Sequence, residues 1–117
     1  MEGRKFTRAD CSFGASIRFG SELTICKTEN LSFHGMYLNT DRDIPINTPV
    51  SVIIYNSNNV SLKVDAKVVR KETNGLGLEI SKLNAYSFAK LRSIVAENSG
   101  DHGTLMQETL SMLKSIQ

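Results

Sequence analysis

The chain has 117 residues, of which 40% are hydrophobic and 22% charged, enough for one globular domain with one core. A formal net charge of +2 is too mild to argue for a duplex-binding surface, and no apolar run approaches membrane-spanning length. Two cysteines, Cys11 and Cys26, read as free thiols in a reducing cytosol, and the opening Met1-Glu2-Gly3-Arg4 lacks the apolar stretch of a secretory signal.

Residues 1–8 are polar and basic apart from Phe6 and read as an arm that orders when something binds. From Cys11 the pattern changes to a strict alternation. Cys11, Phe13, Ala15, Ile17 and Phe19 alternate with Ser12, Gly14, Ser16 and Arg18, the period-2 pattern of a strand with one buried face. Gly20-Ser21 marks a turn, after which Leu23 and Ile25 begin a second strand. Small polar residues interrupt the alternation from Asn30 to Gly35, and Met36 and Leu38 resume it as a short third strand.

Asn39 to Pro49 reads as a loop, rich in Asp, Asn and Pro. Val50, Val52 and Ile54 make a fourth strand, which Asn56-Ser57-Asn58-Asn59 turns. The fifth strand has the clearest alternation, with Val60, Leu62, Val64, Ala66 and Val68 on one face. Asn74-Gly75 predicts a two-residue hairpin, because both residues tolerate positive φ, and Leu76, Leu78 and Ile80 form a sixth strand. Short antiparallel strands joined by turns point to a small barrel or sandwich, and closure into a barrel removes exposed edges.

After Leu83 the period becomes helical, with Phe88, Leu91 and Val95 forming an apolar stripe expected to pack on the barrel. Residues 98–103, which include His102, end this helix as a linker. Thr104 and Gln107 then offer a capping box for a terminal amphipathic helix carrying Leu105, Met106, Leu110, Met112, Leu113 and Ile116. That stripe either docks on its own barrel or forms a dimer or partner surface, and the Gly-rich linker before it favours the second. The expected organisation is a barrel domain over 1–97, with linker and helix over 98–117.

Two clusters carry the candidate chemistry. Arg4 and Arg8 are four apart on a flexible arm and can converge on one compact anion, with Lys5 between them. A guanidinium matches the O6/N7 edge of guanine, and phosphate oxygens, with two parallel hydrogen bonds. Asn30 and Ser32 share a face on extended backbone and can accept from the other guanine edge. Gly35 permits close approach or a positive-φ bend. Taken singly, the first cluster reads as two solvated terminal charges and the second as an Asx-type turn. His34 reads mainly as a surface residue, with stacking on a ligand as its functional alternative.

Together, in this order, Arg4-x-x-x-Arg8 before the first strand and Asn30-x-Ser32-x-x-Gly35 after the second resemble the PilZ family of bacterial cyclic diguanylate receptors. Gly75-Leu76-Gly77-Leu78-Glu79-Ile80 is similar to that family's glycine-containing last strand. The resemblance covers roughly residues 4–96. It implies a mainly β fold, a six-stranded antiparallel barrel with C-terminal helices. It also implies a cyclic diguanylate site formed by Arg4, Arg8, Asn30, Ser32 and Gly35, with Lys5, His34 and Gly77 as further contacts. The expected protein is a cytoplasmic receptor that needs no other cofactor, orders its arm on ligand and signals to a partner in trans. The alternative is an interaction module of the same fold without nucleotide. Gly3 stands where many members have a further arginine, which lowers the expected affinity. An OB-type nucleic-acid barrel is disfavoured by the lack of tryptophan and by Phe13 and Phe19 on the core-facing register. No nucleophile-base pair or metal-ligand spacing speaks for an enzyme.

Overall fold

Apolar alternation along successive short segments is satisfied by closing them around one interior. The structure, a computed structural model, describes residues 9–55 and 61–99. Seven strands precede one helix: β1 (Ala9–Asp10), β2 (Gly14–Phe19), β3 (Glu22–Leu31), β4 (Gly35–Asn39), β5 (Pro49–Tyr55), β6 (Ser61–Glu72), β7 (Gly75–Lys82) and α1 (Ala85–Ser99). All pairings are antiparallel, in the order β3-β2-β5-β6-β7-β4, and β4 pairs back onto β3 to close a six-stranded barrel. The two-residue β1 lies outside that ring, paired with the end of β3.

The interior is built from the predicted alternating residues. Ala15, Ile17, Val52, Ile54, Val64 and Val68 are among its buried side chains. Helix α1 lies against β1 and β6 and contributes Phe88, Leu91 and Val95, as its stripe predicts, together with Ile94. Asn84 begins the helix by accepting the amide of Ser87 on its side-chain oxygen at 2.8 Å, the usual N-cap contact. Ser87, facing inward, then donates its hydroxyl to the carbonyl of Lys63 at 2.7 Å and ties the helix to β6.

Three local expectations are corrected, and one strand shows an exposed apolar face. Cys11 to Phe13 are not strand. They bridge β1 to β2, and Thr28 holds the irregular backbone by donating its hydroxyl to the carbonyl of Cys11 and accepting the amide of Phe13. Ser16, read as solvent-facing, is 3% exposed because it turns to the barrel's outer face under Tyr55, whose hydroxyl is 3.2 Å away. In β3 the apolar Leu23 and Ile25 face outward and are exposed, while Cys26 and Leu31 face the interior. The β6–β7 hairpin turns at Thr73-Asn74, one residue earlier than predicted, with Glu72 paired to Gly75 and neither Asn74 nor Gly75 at positive φ. Gly75 is required for a different reason: a Cβ there would run into the ring and hydroxyl of Tyr37. The turn at 56–59, Val60, the segment 100–103 and the terminal helix, with the dimer surface expected of it, lie outside the described residues.

Neither Cys11 nor Cys26 is in a disulfide. Burial pushes Cys26 up to about 11 from the ordinary 9.0. Burial and then the charge of Asp10 push Cys11 up to about 11, against a hydrogen bond with Thr28. The folded state therefore binds these protons more tightly than the unfolded chain. Their contribution to stability is intact below pH 9 and is lost as pH climbs toward 11. At pH 8 the folded protein should alkylate with iodoacetamide about a hundredfold more slowly than the denatured chain, in proportion to its thiolate fraction. Equal rates, followed by mass spectrometry, would contradict the burial of both thiols.

Candidate functional site

The second motif forms the corner between β3 and β4. Ser32 closes it. Its amide donates to the carbonyl of Gly35 at 2.9 Å, and its hydroxyl accepts the amides of His34 and Gly35 at 3.2 and 3.1 Å. The same hydroxyl lies 3.2 Å from the Gly35 carbonyl, to which it donates. Ser32 is thus engaged within its own turn. Gly35 starts β4 under close approach rather than positive φ, since a Cβ there would overlap the carbonyl of Leu78 on β7. Phe33, written among polar residues, is fully buried and stacks on Phe88 of α1 with centroids 5.1 Å apart.

Asn30 is turned outward by a bulge. The β3–β4 register shifts between Thr28 and Asn30, so the strand's parity changes and Leu31, not Asn30, enters the core. Asn30 is nevertheless 8% exposed, and among the described residues its side-chain amide has no hydrogen-bond partner.

Cross-strand register then lays out one row on the outer face. Asp10 pairs with Asn30, Asn30 with Tyr37, Tyr37 with Gly77 and Gly77 with Arg70. A cleft of about 400 Å³ runs along this row, bordered by Asn30, Ser32, Gly35, Gly77 and Arg70. A second, of about 560 Å³, shares Asn30, Tyr37 and Arg70 and extends to Asp10 and Glu72. Asn30, Ser32, Gly35, His34 and Gly77 are therefore brought to one opening. His34 is exposed at its rim, with Nε2 3.3 Å from Glu79. Arg4, Lys5 and Arg8 lie outside the described residues.

Tyr37 and Arg70 border the cleft without having been singled out in the sequence. Tyr37 donates its hydroxyl to Glu72 at 2.6 Å, and that hydrogen bond raises the phenol's pKa, so it stays a neutral donor. Only the register, which places each opposite Gly77, marks them. Among the described residues no group of His, Cys, Asp and Glu is arranged to hold a metal ion, and no helix is long and apolar enough to cross a membrane.

The structure is thus a closed six-stranded barrel whose polar corner opens on the outer face, beside the point where β1 joins β3. The sequence profile of the PilZ domain matches residues 2–97, and the chain belongs to that family. Members are in general cyclic diguanylate receptors, regulatory modules rather than enzymes. Two solved structures share the fold. One is the Bacillus subtilis inhibitor of motility (MotI/DgrA), at TM-score 0.68 and 19% identity, covering 83% of this chain and 52% of that one. The chain thus spans about half of that protein's length. The other is the PilZ domain of cellulose synthase from a cellulose-synthesizing bacterium, at TM-score 0.64 and 18% identity, covering 76% and 95%. No curated protein sequence matches the chain.

Proposed function

We propose that this protein is a cyclic diguanylate receptor that binds its ligand between the basic arm and the Asn30–Gly35 corner, and signals to a partner protein in trans. The observation that carries this reading is the β1–β3 ladder. Ala9 pairs with Leu31 and Asp10 with Asn30, so the segment bearing Arg4 and Arg8 joins the barrel beside the second motif. The chain thus enters the described barrel beside the second motif, which supports a site shared with the arm. The Asn30 amide, without a hydrogen-bond partner among the described residues, supplies polar contacts for a guanine edge, and the arm supplies guanidinium groups for its O6/N7 edge and phosphates. Ligand shifts the arm only by its differential affinity for the ordered state. The ordered arm, with ligand beneath it, is the surface offered to the partner.

A second reading is an interaction module without nucleotide. The exposed Leu23, Ile25 and Tyr55 on β3 and β5 favour a protein partner, and these residues lie away from the cleft. Calorimetric titration of cyclic diguanylate separates the two. The receptor reading expects saturable binding by wild type, weakened on the order of tenfold to a hundredfold in Arg8→Ala, with an unchanged circular dichroism spectrum. Arg8→Ala binding as wild type would remove the arm from the site. A folded wild type that does not bind leaves the interaction module.

A further inference from the structure

The row across the outer face ends in a cation that neither motif contains. Arg70 leans across Gly77, where a Cβ would lie only 3.2 Å from that of Arg70, and its guanidinium carbon stands 5.1 Å from the centroid of the Tyr37 ring. Glu72 holds both partners, accepting the Tyr37 hydroxyl through Oε1 and facing Nε of Arg70 through Oε2 at 3.4 Å. The guanidinium is thus supported from one side by an aromatic ring and along one edge by a carboxylate. Its side chain remains 61% exposed, and it borders both clefts beside Asn30.

A planar cation held over a ring is a stacking platform. Its free face takes a purine by the same attraction that holds it to Tyr37, and its remaining N–H groups can reach phosphate. Because the side chain is already placed, less rotamer entropy is lost when a base lands on it. Lysine offers neither the plane nor the fork.

We propose that Arg70, positioned by Tyr37 and Glu72 and granted its approach by Gly77, is a base-stacking residue for a guanine of the ligand, an assignment that rests on the receptor reading above. Calorimetric titration of cyclic diguanylate into wild type, Arg70→Ala, Arg70→Lys and Lys71→Ala tests it. Lys71 is the charge control, since it neighbours Arg70 in sequence but pairs with Asp43 at 2.5 Å and does not border the cleft. Arg70→Ala should raise Kd roughly tenfold to a hundredfold, with an unchanged circular dichroism spectrum. Arg70→Lys should lose most of the same affinity, and Lys71→Ala should stay within about twofold of wild type. Wild-type affinity in Arg70→Ala overturns the assignment while leaving the receptor standing. Full rescue by Arg70→Lys, or an equal loss in Lys71→Ala, reduces Arg70 to general charge and overturns the stacking role. A wild type that fails to bind removes the receptor reading and this assignment together.

Discussion

Replacing Gly35 by alanine is expected to lower the midpoint of thermal unfolding by roughly 10–20 °C. The added methyl would overlap the carbonyl oxygen of Leu78, a backbone atom that cannot rotate aside. The β4–β7 ladder would have to open where Gly35 faces Glu79, and the bond from the Ile80 amide to the His34 carbonyl, 2.8 Å, would go with it. A forced overlap of this kind costs about 3 kcal/mol. Gly20→Ala is the control. Gly20 has φ 58° and no atom near its missing Cβ, so alanine there costs only about 1 kcal/mol of backbone strain. Thermal melts followed by circular dichroism distinguish the two, and a Gly35→Ala midpoint within a few degrees of Gly20→Ala would show that β4 and β7 are looser than their register implies. The comparison bears on function as well. Loss of ligand in Gly35→Ala would report a collapsed corner, so it cannot be read as loss of a contact to ligand.

The second large effect lies one turn away. Phe33→Ala should destabilise the fold by about 3–5 kcal/mol, the usual cost of emptying an aromatic site that cannot collapse. Phe33 is fully buried and stacks on Phe88, so its ring joins the β3–β4 corner to α1. Phe33→Leu should retain at least half of that stability, because most of the volume is kept. Urea unfolding gives both values, and a cost below 1 kcal/mol for the alanine variant would mean that corner and helix are not coupled through this ring.

Much of the barrel was legible because strands with one buried face must alternate. Val50 to Ile54, Leu62 to Val68 and Leu76 to Leu78 show this cleanly. The alternation misleads where a bulge adds a residue. The shift between Thr28 and Asn30, and another between Val68 and Arg70, exchange inside for outside with no mark in the sequence. Asn-Gly at 74–75 imitates a hairpin turn, yet its glycine answers to Tyr37 across the sheet rather than to φ. The site divides in the same way. Asn30, Ser32 and Gly35 were singled out because the motif is contiguous, and in the structure they border one opening. Phe33 was passed over as a filler position, although an aromatic inside a polar turn is itself a sign of anchoring. Tyr37 and Arg70 are far apart in sequence and become a pair only once four strands are in register.

The short β1 ladder also bears on affinity through chain length rather than contact. With Ala9 paired to Leu31 and Asp10 to Asn30, Arg8 directly precedes the fixed point in sequence. For a ligand already resting on the barrel, engagement by the arm is then an intramolecular event at high effective concentration, and little loop-closure entropy separates one-sided from two-sided binding. On the receptor reading proposed above, each residue added between Arg8 and Ala9 would dilute that advantage without touching a single ligand contact, so tether length, as much as the identity of the arginines, would set the ligand concentration of the response.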